Sequence, residues 1–303
     1  DGVVDVVFPP HHVALKPRAR RGGWRPNLAS FIVATIAVVG LLVFMYPSTA
    51  AWWSQYHESK AIIDYQDEVR EDPPPGNAPQ LERAREYNRK LSVGEVVVGA
   101  DSNKPVLMGQ SGDEGGYWEI LPSRTGVMGR LKIPAIDVDL PIYHGTSDAV
   151  LEKGVGHLQG TSLPVGGDNT HSVLTAHTGL AKATLFNRLD EVKLGDTFSI
   201  SVFGEVLTYR TVDLQTILPD ETGSLAIQKG RDLVTLVTCT PLGVNTHRFL
   251  VTGERVYPTL VEDVESAAQA PQVPRFPWWA VIIPTGILWA GVYVWRFGQG
   301  KVS

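Results

Sequence analysis

The chain has a single thiol, at Cys239. It ends the run Thr235-Leu236-Val237-Thr238-Cys239 and is followed by Thr240-Pro241-Leu242-Gly243. A thiol at the mouth of a strand, just before an irregular loop, can face a groove. A lone cysteine in an arbitrary chain reads as a small buried hydrophobe. An exported chain with one unpaired thiol in an oxidising compartment reads instead as carrying a nucleophile, and export signals are present here. A thiol with an ordinary pKa near ~8.5 needs a base or a positive charge beside it to react. Two residues meet that need. His177 lies at the end of an apolar run in Leu174-Thr175-Ala176-His177-Thr178-Gly179. Arg248 lies in Asn245-Thr246-His247-Arg248-Phe249, where an antiparallel return brings it beside the thiol and alternation turns His247 to the other face.

The elements that position these groups follow from composition and patterning. With 303 residues the chain has a prior of roughly two domains, or one with appendages. A hydrophobic share of 43% with 19% charged residues is too apolar for disorder, and one cysteine excludes an intrachain disulfide, a zinc finger and an iron–sulfur site. A net charge of −5 and the lack of a Gly-rich phosphate loop leave nucleic acid and nucleotides without support.

No charged side chain occurs from Pro26 to Tyr56, and residues 27–47 are expected to form a first transmembrane helix, a signal anchor. The basic tail 1–26, with Lys16, Arg18, Arg20, Arg21 and Arg25, is expected in the cytoplasm. A cleaved signal peptide, with small residues at Ser48-Thr49-Ala50-Ala51, is the alternative and also leads to export. Residues 276–296 form a second expected span, with Trp278 and Trp279 at one end and Tyr293 and Trp295 at the other, so that 297–303 return to the cytoplasm. The stretch between the spans is acidic.

Residues 48–93 read as a helical stem interrupted by the Asp72-Pro73-Pro74-Pro75-Gly76 turn, and the Gly-rich 94–125 as a lid or loop region. From residue 126 to 262, six or more short β-like runs argue for a closed or nearly closed barrel, with Gly204-Glu205 as a hairpin turn, followed by a 263–275 linker.

The Thr-Leu-Val-Thr-Cys pentapeptide, with Arg248 nine residues on and His177 about sixty before, resembles the sortase family of cell-wall cysteine transpeptidases of Gram-positive bacteria. Met128-Gly129-Arg130-Leu131-Lys132-Ile133-Pro134, Leu140-Pro141-Ile142-Tyr143-His144-Gly145-Thr146, Gly154-Val155-Gly156-His157-Leu158 and Ser162-Leu163-Pro164-Val165-Gly166-Gly167 are similar to the class C, pilin-polymerising branch. The resemblance covers about Val127 to Val256. It implies a mostly β fold: a sortase-type eight-stranded β-barrel with short helices, a helical stem and two flanking spans.

It also implies that Cys239 attacks the Thr–Gly bond of an LPXTG-like sorting signal to form a thioacyl enzyme. In this scheme His177 is the general acid and base, and Arg248 positions the substrate or stabilises the oxyanion. A pilin lysine would resolve the thioester, with no metal or cofactor. Pilins, other proteins bearing such signals, and the membrane lipid are the expected partners. A housekeeping sortase acting on peptidoglycan, or a scaffold that binds sorting signals without turnover, are the alternatives. Class C enzymes commonly carry an Asp-Pro-aromatic lid, which this chain lacks. Asp101, and Tyr117 with Trp118 as an aromatic plug, are the lid candidates. His144, His157 and His171 read as structural.

Overall fold

The computed structural model describes residues 27–71, 76–92, 116–179, 185–241 and 244–297. Two units separate. One comprises the chain up to Met45 and from Ala280 onward; the other is Tyr46–Trp279.

The first unit holds parts of two apolar helices, α1 (Leu28–Glu71) and α5 (Trp279–Phe297). Asn27 starts α1 by accepting the Ala29 N–H on its side-chain oxygen at 3.0 Å. Leu41 of α1 lies against Gly286 of α5, where a Cβ would stand 2.4 Å from the leucine methyl. Small residues let two helix backbones approach in this way. Both helices are long and apolar enough to cross a membrane.

The second unit is built on eight strands: β1 (Val127–Ile133), β2 (Val138–His144), β3 (Val155–His157), β4 (Thr170–Thr175), β5 (Thr197–Val202), β6 (Glu205–Ile217), β7 (Asp232–Thr240) and β8 (His247–Arg255). They close in the order β1-β2-β3-β4-β7-β8-β6-β5, so the sheet keeps no free edge. Two of the pairings, β2 with β3 and β4 with β7, are parallel.

Alternation along the strands sorts the apolar residues into two sets. Leu131, Ile142, Leu174, Ile200, Leu236 and Val251 belong to the large core cluster. Their neighbours Val173, Val237 and Leu250 turn the other way and pack with Leu158, Leu225 and Ile217 in a smaller one. Gly253 is required in β8 because a Cβ there would lie 2.5 Å from the Phe198 ring.

The β5–β6 turn falls one residue earlier than the sequence suggests. Val202 pairs with Glu205, leaving Phe203 and Gly204 as the turn, both at positive φ. Phe203 tolerates this conformation because its N–H donates to the Tyr65 hydroxyl at 2.8 Å, and that hydroxyl donates to the Met128 carbonyl at 3.1 Å. Tyr65 thereby fastens α1 to the barrel.

The helix α2 (Ala78–Leu91) adds Leu81, Ala84 and Tyr87 to the core, and Asn88 exchanges two hydrogen bonds with Leu163 at 2.9 and 2.7 Å. A C-terminal strap completes the unit. It begins with α4 (Val261–Ala268), the short helix α3 (Asp148–Leu151) lying earlier before β3. The buried Arg130 guanidinium pairs bidentately with Asp139 at 2.6 Å and donates to the carbonyls of Ala267 and Gln269. From α1, Gln66 donates to Ala267, Ser59 to Gln272 and Trp52 to Arg275.

Candidate active site

β7 and β8 set the centre of the site. Their register places Cys239 directly opposite Arg248 at the end of the two strands nearest their connection. Directly opposed residues share a face, here the one that also carries Val237 and Leu250. Both side chains are buried, Cys239 5% and Arg248 3% exposed. The guanidinium is held by its own backbone: Arg248 Nη1 donates to the carbonyls of Asn245 at 2.9 Å and His247 at 3.0 Å. Asn245 takes a left-handed conformation, φ 60°, and its N–H donates to Pro241 O at 2.9 Å.

β4 brings the imidazole. It runs parallel to β7 with Thr175 level with Val237. Pairing continues past the strand end: the Ala176 N–H donates to Val237 O at 3.3 Å, and Thr238 Oγ1 donates to Ala176 O at 3.0 Å. His177 follows two residues past Thr175, the last residue of β4 paired with β7. His177 is half-buried, and its carbonyl accepts the Phe186 N–H at 3.2 Å.

Burial pushes the Cys239 thiol up from its ordinary value, and the charge of Arg248 pulls it down. At rest the group is therefore a thiol, and ionisation needs a nearby proton acceptor. A thiol and a guanidinium facing each other on adjacent strands, with an imidazole just past the end of the neighbouring strand, are groups that can together perform nucleophilic chemistry at a carbonyl.

The remaining sequence-derived residues lie elsewhere. Tyr117 is fully buried in the large core cluster, whereas Cys239 is on the face of the smaller one. Its hydroxyl contacts His157 Nδ1 at 2.9 Å and accepts the Gly145 N–H at 3.0 Å, and its ring stacks on that of His157. Trp118 is half-exposed and packs against Gly145 and the His144 ring. Tyr117 is thus a core side chain, and Trp118 rests at Gly145 and His144. Asp101 lies outside the described residues.

His144, His157 and His171 are embedded in hydrogen bonds. His144 Nε2 donates to Ile120 O at 2.8 Å, and His157 Nε2 to Ser162 O at 2.9 Å. His171 bridges Ala226 O at 2.9 Å and Thr235 Oγ1 at 2.7 Å. Burial lowers all three, His157 to about 3. In the stem, Asp67 accepts from Arg70, while Glu68 and Glu71 hold Arg124.

Sequence reasoning missed the two threonines that tie the site together, Thr238 to β4 and Thr235 to His171 and Thr252. The signal was available, since two-residue alternation places Thr235 on the same face as Cys239.

Comparison with known proteins decides the family. The sortase domain model matches residues 131–256. Sortase D of Bacillus subtilis is 32% identical over 138 residues, 45% of this chain and 67% of that protein. The chain belongs to the sortase family. Among solved structures, sortase C-1 of Actinomyces oris is 49% identical with a TM-score of 0.53, covering 59% of this chain and 98% of that one. Sortase C of Streptococcus pneumoniae is 36% identical with a TM-score of 0.56, covering 65% and 96%. These neighbours align this sortase with class C, and it is a sortase-type cysteine transpeptidase. The match spans the barrel that carries Cys239, His177 and Arg248.

Proposed function

We propose that this transpeptidase joins pilin subunits at the cell surface, with Cys239 as nucleophile, His177 as general acid and base, and Arg248 as the donor to the reacting carbonyl. The observation that carries the reading is the pairing of Cys239 with Arg248 on one face, with His177 two residues past the end of the adjoining strand β4. His177 takes the thiol proton, and the thiolate attacks the threonine carbonyl of an LPXTG-like signal. The imidazolium then protonates the departing glycine amine, leaving a thioester on Cys239. A pilin lysine amine attacks that thioester, gives its excess proton to His177 and restores the thiol. Arg248 meets the oxyanion in both halves, with its guanidinium already fixed by two carbonyls, so little reorganisation is needed at the moment of reaction.

The choice of pilins draws support from the pneumococcal sortase C, whose structure is described as bearing on pilin substrate specificity. Two apolar helices support a membrane-anchored protein with its barrel outside and both termini inside. The test is mass spectrometry of the full chain after incubation with an LPXTG-type peptide and no amine acceptor. An acyl adduct on Cys239, absent from Cys239→Ala, is expected, and an added lysine amine should discharge it. No adduct on the wild-type chain would refute the reading in favour of a binding scaffold.

A further inference from the structure

The described residues form a cleft of about 650 Å³ that none of Cys239, His177 and Arg248 lines. It lies wholly within the barrel-bearing unit, where α1 residues from Tyr46 to Ala61 meet Tyr143 of β2 and the turn after α3. Its place in the chain is informative. Tyr46 ends the apolar run that starts at Leu28, and Trp279 is the first residue of α5. Tyr and Trp at the ends of membrane spans stand at the headgroup level. Trp53 and Tyr143 make the walls more aromatic still, and aromatic faces attract ammonium groups. Glu58 lines the cleft as well. It is 6% exposed, its carboxylate accepts one hydrogen bond, from Ser54 Oγ at 2.7 Å, and no cation stands within ion-pair distance of it among the described residues. A buried carboxylate is ordinarily paired. With Glu58 and Glu152 the lining carries two carboxylates against the single ammonium of Lys153, beside a His57 ring whose Nδ1 donates to Trp53 O at 2.8 Å. That balance favours a ligand bringing its own cation over a purely anionic one.

We propose that this cleft binds a membrane phospholipid with a primary-amine headgroup, its ammonium on the Glu58 carboxylate among the aromatic rings and its phosphate toward Lys153. The proposal rests on the reading of α1 and α5 as membrane spans. Among amine-bearing molecules a lipid is the one this position supplies, because its headgroup lies at the level of the Tyr and Trp side chains and its acyl chains continue into the apolar layer. A bound lipid of this kind ties the foot of α1 to the barrel through Tyr143 and the turn after α3. The size suits it, since clefts of a few hundred Å³ with apolar walls and a few placed polar groups are the usual form of small-ligand sites.

The experiment is native mass spectrometry of the full chain in detergent, titrated with phosphatidylethanolamine, its N-acetylated derivative and phosphatidylglycerol of the same acyl chains. Wild type should hold one phosphatidylethanolamine about tenfold more tightly than either of the other two, the effect of one charge-assisted hydrogen bond. Glu58→Gln, which keeps an acceptor for Ser54, should erase that preference. Lys153→Gln should weaken all three lipids alike, because they share the phosphate. If Glu58→Gln does not fold, as judged by thermal unfolding, the wild-type contrast between phosphatidylethanolamine and its N-acetylated form decides. Equal affinity of wild type for the three lipids, or a preference that survives in Glu58→Gln, overturns the proposal. Phosphoethanolamine binding as tightly as the whole lipid also overturns it, in favour of a soluble amine. Flotation of the full chain with vesicles separates the two layers of the argument: a chain that floats with no vesicle composition overturns the membrane reading and the proposal together, whereas one that floats but shows no lipid preference overturns the proposal alone.

Discussion

Acid should unfold this protein through His157, and the size of the effect can be worked out. The ring is fully buried and held as the neutral form: Nε2 must carry the proton, because its partner Ser162 O can only accept, and Nδ1 faces the Tyr117 hydroxyl. Among the described residues no carboxylate is a cause of its shift, and burial lowers it from 6.5 to about 3. In the unfolded chain it titrates near 6.5. The unfolded state thus binds a proton that the folded state refuses. Stability from this group is fully present above about pH 6.5 and is lost as pH falls from there toward 3. At pH 5 the gap is roughly 1.5 units, so about 2 kcal/mol should be gone relative to neutral pH. The assay is urea unfolding at pH 7 and pH 5 for wild type and His157→Gln, whose amide can donate to Ser162 and accept from Tyr117 without titrating. His144 and His171 shift in the same direction but are present in both proteins, so their contribution cancels. The variant should lose about 2 kcal/mol less than wild type between the two pH values, whatever its absolute stability. Equal losses in the two proteins would show that His157 is not the neutral, sequestered group described here.

Three further outcomes are expected. Arg130→Ala leaves Asp139 and two strap carbonyls without their donor in a buried setting and should cost about 3–5 kcal/mol; thermal unfolding that shifts by less than the equivalent of about 1 kcal/mol would contradict it. Tyr65→Phe removes both the Met128 and Phe203 hydrogen bonds and should cost about 1–2 kcal/mol in denaturant titration. Arg248→Lys keeps a positive charge but not the guanidinium fork, so kcat for peptide cleavage should fall at least about tenfold while the alkylation rate of Cys239 changes less.

Where the sequence was legible, the reason is periodicity. Leu233 to Cys239 is a nearly unbroken apolar run, Arg248 to Val256 is a β-like run centred on Phe249, Leu250 and Val251, and the facing of Cys239 with Arg248 needs only an antiparallel return. β2 and β3 left weaker marks. β2 carries Asp139 and Pro141, and β3 has three residues and is recognisable only by its parallel partner. The hairpin was placed one residue late because Gly204 drew attention to itself, while the residue that shares its unusual backbone is Phe203, stabilised by Tyr65 138 residues earlier in the chain. Tyr117 shows the same limit: next to Trp118 in a Gly-rich context it reads as a plug, and the structure sets its hydroxyl against His157, 40 residues away. Local pattern reports which face a residue takes within its own strand and is silent about distant donors.

The strap has a consequence for how the protein is made. Arg130 is laid down in β1, but the carbonyls that receive its guanidinium belong to Ala267 and Gln269, 137 and 139 residues later. Asp139 arrives almost at once and carries the charge in the interim. Every strand will have left the ribosome before that arginine acquires its full set of partners, and the same late stretch supplies the acceptors for Ser59, Gln66 and Trp52. A nascent chain stalled before residue 267 therefore holds a complete barrel sequence with an unsealed base, and the last dozen residues ahead of α5 act as its closing stitch.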